Sequence, residues 1–446
     1  MPYIPHTPDD RERMIRTIGI GDVEELFDSV PQSLRLRRPL DLPPALSEME
    51  LIRELEAIAS ENKGAQHYVC FLGAGAYDHF IPSAVNHIVR RSEFYTSYTP
   101  YQAEISQGIL QVIYEFQSMI CALTGMDVSN ASLYDGATAA AEAAIMTLNR
   151  SGRKRVLVSE LVNPHYRAVM RTYLSQGLAK LDVVRSSGGV TSKDDLQNLL
   201  GQDVACFVVQ YPSFVGTIED LSVLAEMCHC VDASLVVIAD PIALGILRSP
   251  GDLGADIVVG EGQSLGNPLS YGGPYLGFMG AREEFLRYIP GRISGATVDR
   301  EGNRGYVLTL QAREQHIRRE RAYSNICTNQ SLNALAATVY LSLMGRSGLR
   351  KVAELCLQKA HYLADRLTGI RGVSLVYDAP FFKEFLIKTP LPADRVVAEL
   401  RERRILAGVP MGRYFPDMDD CLLVCVTEKR TKAEMDNFAE RLGEIL

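Results

Sequence analysis

Asp240 follows the apolar run Ser234–Ala239 and precedes Pro241, so a carboxylate stands where an extended segment runs out. Ligands of open α/β sheets gather at that edge. A carboxylate there can pair with a protonated ring nitrogen, or it can simply cap a turn. A second run, Asp256–Val259, leads into Gly260-Glu261-Gly262-Gln263-Ser264 and then to the glycine pair Gly272-Gly273. Upstream, Asp135-Gly136-Ala137-Thr138 opens an alanine-rich helix. Backbone N–H groups at such a helix start, around Gly136 and Thr138, can bind a phosphate. Asp135 can also serve as a plain N-cap, and its charge opposes a phosphate. Strand-end acid, polar turn and glycine pair together have the layout of a pyridoxal-phosphate pocket. That cofactor needs a lysine at the turn to hold it as a Schiff base. The chain has no lysine between Lys193 and Lys351, and Gln263 lies in the turn. The expectation is a pyridoxal-phosphate scaffold without its anchoring residue.

Other residues carry weaker signals. His165, after Asn163-Pro164, could stack on a pyridine ring, although a lone histidine is more often structural. The segment Tyr95–Gly108 (YTSYTPYQAEISQG) brings Tyr95, Tyr98, Tyr101 and Gln102 together, which suits a surface that meets a partner or covers a ring, or a loop at the core edge. Leu72-Gly73-Ala74-Gly75 lacks the third glycine and the βαβ setting of a dinucleotide turn. Cys228-His229-Cys230 lies in a helical stretch where neighbouring side chains diverge, and no second ligand cluster follows, so no metal site is expected. The charged stretch Arg313–Asn325 reads as a solvated helix face or an intersubunit ion-pair network.

The elements that must position these residues are legible. Short β-rich runs at Arg155–Ser159, Leu181–Arg185, Val204–Tyr211, Ser234–Ala239, Asp256–Val259 and Tyr275–Met279 alternate with helical stretches at Thr138–Asn149, Pro164–Ser175 and Ile218–Val231. Several runs are apolar almost throughout, as expected of strands covered on both faces. The alternation predicts an α/β protein with a mainly parallel sheet. Residues 1–62 predict an N-terminal helical arm with helices at Ile15–Val30 and Ser47–Glu61. A large domain then spans 63–330 and a smaller C-terminal α/β domain 331–446.

Bulk properties set the outer bounds. The 446 residues suffice for two domains. A net charge of −8 argues against nucleic acid as the main partner. No apolar stretch reaches spanning length and the N-terminus lacks a signal-peptide pattern, so no membrane association and a cytoplasmic location are expected. The nine cysteines sit mostly in apolar contexts, as reduced buried thiols do.

Longer motifs occur in order: YTPYQAEISQG, ASLYDGATAAAEA, SYGGPYLGFM, PGRISGATVDREG and LQAREQHIRRERAYSNICT. They resemble the N-terminal half of the glycine-cleavage P-protein, glycine dehydrogenase (decarboxylating), from roughly Arg13 to the C-terminus. In some organisms that protein is one chain with two homologous halves, and in others two subunits; this chain resembles the first. The resemblance implies a fold-type-I pyridoxal-phosphate transferase scaffold in which only the second subunit carries the Schiff-base lysine. Aligned on Pro268 and Gly272-Gly273-Pro274, Gln263 takes that lysine's place. Implied activity is decarboxylation of glycine on pyridoxal 5'-phosphate held by the partner subunit, followed by transfer of the aminomethyl group to the lipoyl arm of the H-protein. An α2β2 assembly is implied as well. Because fold-type-I sites lie at dimer interfaces, Tyr95, Tyr98, Tyr101 and Gln102 are candidates for reaching the partner's site. Gly136, Thr138, His165, Asp240 and Gln263 would line a vestigial pocket. The alternative is a regulatory or scaffolding pseudoenzyme that binds the catalytic subunit without shaping its site. An independent enzyme using Lys154 or Lys180 is disfavoured, because both precede Asp240 in surface segments.

Overall fold

The structure is a computed structural model that describes residues 5–97, 99–175 and 177–446. The chain divides into two compact units, residues 1–63 and 64–446. In the first, helices Pro8–Ile18 and Glu48–Ser60 each start with a capping box, Thr7 with Asp10 and Ser47 with Glu50. The helix expected over Ile15–Val30 is replaced by Pro8–Ile18 and a 3-10 segment, Val23–Phe27. Gly19, at φ 85°, ends the first helix in the left-handed conformation that glycine adopts without strain. No described side chain of this unit is buried.

The second unit is built on a seven-stranded sheet. In chain order its strands are β1 (Val128–Ser129), β2 (Arg155–Ser159), β3 (Lys180–Val184), β4 (Val204–Tyr211), β5 (Ser234–Ala239), β6 (Ile257–Glu261) and β7 (Gly277–Ala281). They lie in the order β1-β7-β6-β5-β4-β2-β3. From β3 to β6 all pairings are parallel, while β7 runs antiparallel to both β6 and β1. Alternate residues serve opposite faces. Val156, Val158, Cys206, Val208, Val236 and Ile238 join the core beneath the Gly136–Ser151 helix. Leu157, Phe207, Val209, Leu235 and Val237 join the other core, with Phe116, Ala334 and Tyr340. That double coverage explains why these strands are apolar on both sides, and the α/β expectation with a mainly parallel sheet holds.

Beyond the sheet, a helix runs over Ser331–Thr368 and is interrupted at Gly345 (φ 57°). An antiparallel four-stranded sheet follows, in the order Ser374–Leu375, Glu384–Lys388, Cys421–Cys425, Val409–Pro410. Helices Ala393–Glu402 and Lys432–Ile445 pack on it through Val396, Leu400, Phe438 and Leu442. Among the described residues, no helix is long and apolar enough to cross a membrane.

Candidate functional site

Because β5 and β6 are parallel, their carboxyl ends bring Asp240 and the Glu261–Gln263 turn to the same edge of the sheet. Asp240 makes its own turn, with Oδ1 accepting from the Ile242 N–H at 2.9 Å. Its Oδ2 lies 2.7 Å from Nζ of Lys383. Lys383 immediately precedes the Glu384–Lys388 strand, and its side chain is only 1% exposed. The ammonium also lies 3.2 Å from Nε2 of His79 and 3.4 Å from the centroid of the Tyr77 ring. Each of its three N–H directions thus has an acceptor: a carboxylate, an imidazole nitrogen and a π face. Burial works against the charge, but Asp240 outweighs it and raises the Lys383 pKa above the ordinary lysine value.

The charge network continues outward. Nδ1 of His79 lies 2.6 Å from Oε2 of Glu428. Nε2 must accept from Lys383, so these partners fix a neutral ring with its proton on Nδ1. Burial and the Lys383 charge both lower the His79 pKa, which suits that state. Burial raises the Glu428 pKa, but hydrogen bonds from His79 and the Phe80 N–H prevail and hold it below the ordinary carboxylate value. His79, Cys356 and Glu428 offer metal-ligand atoms within 4.8 Å of one another. With both ring nitrogens engaged and an ammonium alongside, the trio forms a hydrogen-bonded chain and a poor cation site. Next to it, Glu384 accepts from the Tyr77 hydroxyl at 2.8 Å and from the Ala74 N–H at 2.6 Å. Gly73 is required here: a Cβ would run into the Glu384 carboxylate and Cys425.

At the second strand end, Gln263 is 2% exposed. Its Oε1 accepts from the Tyr77 N–H at 2.9 Å, and its Nε2 donates to the carbonyls of Tyr77 (3.1 Å) and Asn267 (2.8 Å). Glu261 turns back and accepts from the N–H groups of Gly136 (3.0 Å), Gln263 (3.0 Å) and Leu276 (2.8 Å). Burial raises its pKa to about 7. Thr138, also buried, gives its N–H to the Asp135 cap at 2.8 Å. The helix start that could cradle a phosphate is therefore occupied by two carboxylates of the chain itself.

Gly136, Thr138, Asp240 and Gln263 thus lie around these two linked strand ends. His165 does not join them: it is exposed, and its Nε2 lies 3.1 Å from the Tyr414 hydroxyl. Tyr95, Tyr101 and Gln102 are exposed, while Tyr98 lies outside the described residues. Below Tyr101 sits the buried Arg292, with its guanidinium 5.6 Å from the ring and Nη2 3.4 Å from the hydroxyl. Lys383, Tyr77 and Glu384 are absent from the sequence-based expectation. The signal for Lys383 and Glu384 is a Lys-Glu pair inside the aromatic run Phe381-Phe382-Lys383-Glu384-Phe385, where charges must be buried and paired.

The residues present do not fit pyridoxal phosphate. Gln263 has no amine to form an imine. Asp240, the carboxylate that could pair with a pyridinium, is already paired with the Lys383 ammonium, and Glu261 holds the Gly136 N–H that could serve a phosphate.

Comparison with known proteins places this geometry in a family. The family model for the glycine cleavage system P-protein matches residues 1–442. The chain is 54% identical over 445 residues to the probable glycine dehydrogenase (decarboxylating) subunit 1 of Desulforamulus reducens, covering 100% of both chains. It is 53% identical over 448 residues to the protein of the same description from Thermomicrobium roseum, covering 100% of this chain and 99% of that one. A crystal structure of glycine decarboxylase (P-protein) of the glycine cleavage system, in inhibitor-bound form, superposes with a TM-score of 0.92 at 43% identity over 100% of both chains. The sphingosine-1-phosphate lyase of Burkholderia pseudomallei shares the fold alone, with a TM-score of 0.64 at 14% identity over 93% of this chain and 94% of that one. With near-complete coverage by the family model and by relatives of the subunit 1 description, the chain belongs to the glycine cleavage system P-protein family.

Proposed function

We propose that this chain is the subunit of a heteromeric glycine-cleavage P-protein that lacks the catalytic lysine. In this reading the assembled enzyme decarboxylates glycine on pyridoxal 5'-phosphate held by the second subunit. It then passes the aminomethyl group to the lipoyl arm of the H-protein. The chain's own part is to complete the partner's pocket and its docking surface, with the exposed Tyr101 and Gln102 as candidates for that contact. The observation that carries the reading is Gln263, buried in the turn after β6 with both ends of its amide already bonded, at the position that the family resemblance assigns to the lysine. The subunit 1 descriptions of full-length relatives support a partner subunit.

The test is complementation. Purified chain is expected to show no glycine-dependent CO2 exchange and no visible absorbance band of lysine-bound cofactor; adding the second subunit, with H-protein, restores exchange. Exchange by this chain alone would sink the proposal, and so would undiminished exchange by the second subunit without it.

A further inference from the structure

The lost lysine is only one of the differences between this site and a cofactor pocket. A cofactor with a cationic ring nitrogen and an anionic phosphate would need an anionic partner at the strand end and N–H donors at a helix start. Both are present as Asp240 and the Gly136 N–H, and both are already engaged by this chain's own charges. We propose that Lys383 and Glu261 are internal replacements for the cofactor's two charged ends, so that the pocket is closed to pyridoxal phosphate by its own side chains, whatever residue stands at 263.

Three features support this. First, the replacement is matched in sign at both ends: an ammonium on the carboxylate of Asp240, and the Glu261 carboxylate on the Gly136 N–H at the helix start. Second, the inserted groups are satisfied. Lys383 has three acceptors and Glu261 three N–H donors, so neither is a buried charge waiting for a ligand. Third, the plug has a structural use. Lys383 precedes and Glu384 begins a strand of the C-terminal sheet, whereas Asp240 and Gln263 follow strands of the central sheet. Tyr77 joins both sides, through its backbone to Gln263 and through its hydroxyl to Glu384. The place of a cofactor has become a strut between two sheets. At Gly216 (φ 91°) the fit is so close that a Cβ would meet the backbone of Glu384.

The inference rests on the proposed function only in taking pyridoxal phosphate as the group excluded. The experiment uses the full-length chain carrying Gln263→Lys, with and without Lys383→Met. Each is incubated with pyridoxal phosphate and reduced with borohydride, and the modified lysine is located by peptide mass. The aldehyde and the new amine would form an imine with loss of water; borohydride hydride and a solvent proton then make the linkage permanent. Gln263→Lys alone is expected to leave position 263 essentially unmodified. The double variant should raise modification there by roughly tenfold or more, because Asp240 is then free to take the ring nitrogen. Equal modification in both overturns the proposal, as does failure of Lys383→Met to raise it.

A melting series keeps the question answerable if labelling is confounded by unfolding. Lys383→Met and Asp240→Asn are each expected to lower Tm by several degrees, and the two together by less than the sum. Additive losses would show that the ion pair does not exist as described. Failed complementation by the unaltered chain would sink the functional reading and leave these outcomes standing.

Discussion

Removing water from a carboxylate raises its pKa unless hydrogen bonds or positive charge repay the loss, and Glu142 is the clearest case here. It lies on the Gly136–Ser151 helix and is 4% exposed. Burial, eased only by a hydrogen bond from Ser324, lifts its pKa from 4.5 to about 7. Between those values the folded chain binds more protons than the unfolded one, so stability falls as pH rises through this window and stays lower above it. The full effect is about 3 kcal/mol, because each tenfold change in proton affinity is worth about 1.4 kcal/mol. Glu142→Gln should therefore be nearly neutral at pH 4 and stabilising by up to about 3 kcal/mol at pH 8. Urea unfolding at the two pH values checks it, and an equal effect at both would refute the assignment. Glu142 stands in an alanine-rich stretch of sequence that gives no sign of its burial. Asp240 and Gln263 were legible because each is tied to a strand end. For Lys383 only the burial is signalled, by its aromatic neighbours; its partner Asp240 is 143 positions away in sequence, and no local pattern reports that contact.

At the scale of elements, the chain's periodicities carry most of the architecture. β2, β4 and β5 occupy the apolar runs that announce them, since two-sided burial leaves no polar position to blur the pattern. Less legible are the two-residue β1 and the antiparallel direction of β7, which follow from sheet pairing and not from local sequence. The helix at Gly136–Ser151 shows how a legible cap acquires a second function. Asp135 accepts from the Thr138 N–H while Glu261 takes the N–H of Gly136, so two N–H groups of this helix start are held by the chain's own carboxylates. Asp135→Ala should cost about 1 kcal/mol, and Asp135→Asn should recover most of it, because the amide oxygen can still cap. Thermal melting of the two variants would decide the point. If Asn failed to restore stability, charge repulsion or attraction would matter more than the cap.

For the whole molecule, what distinguishes a trans-acting subunit from a passive scaffold is whether exposed residues are held in a fixed geometry before a partner arrives. Tyr101 is 60% exposed, so it adds little to this chain's own core. It is nevertheless anchored: the Arg292 guanidinium beneath its ring also reaches the Asn329 side chain at 3.1 Å and the Cys327 carbonyl at 2.7 Å. One buried cation thus ties the Tyr101 loop to the segment before the Ser331–Thr368 helix. Such preorganisation reduces the ordering cost of binding. Tyr101→Ala should leave the melting of the isolated chain within a degree or two, as exposed substitutions generally do. In the complemented enzyme it should reduce glycine-dependent CO2 exchange by about tenfold, the equivalent of about 1.4 kcal/mol and modest for a buried interface tyrosine. Tyr101→Phe keeps the ring over Arg292 and should retain most of the exchange. Unchanged exchange with Tyr101→Ala, together with normal complex formation, would remove Tyr101 from the partner's site and favour a scaffolding role for this face.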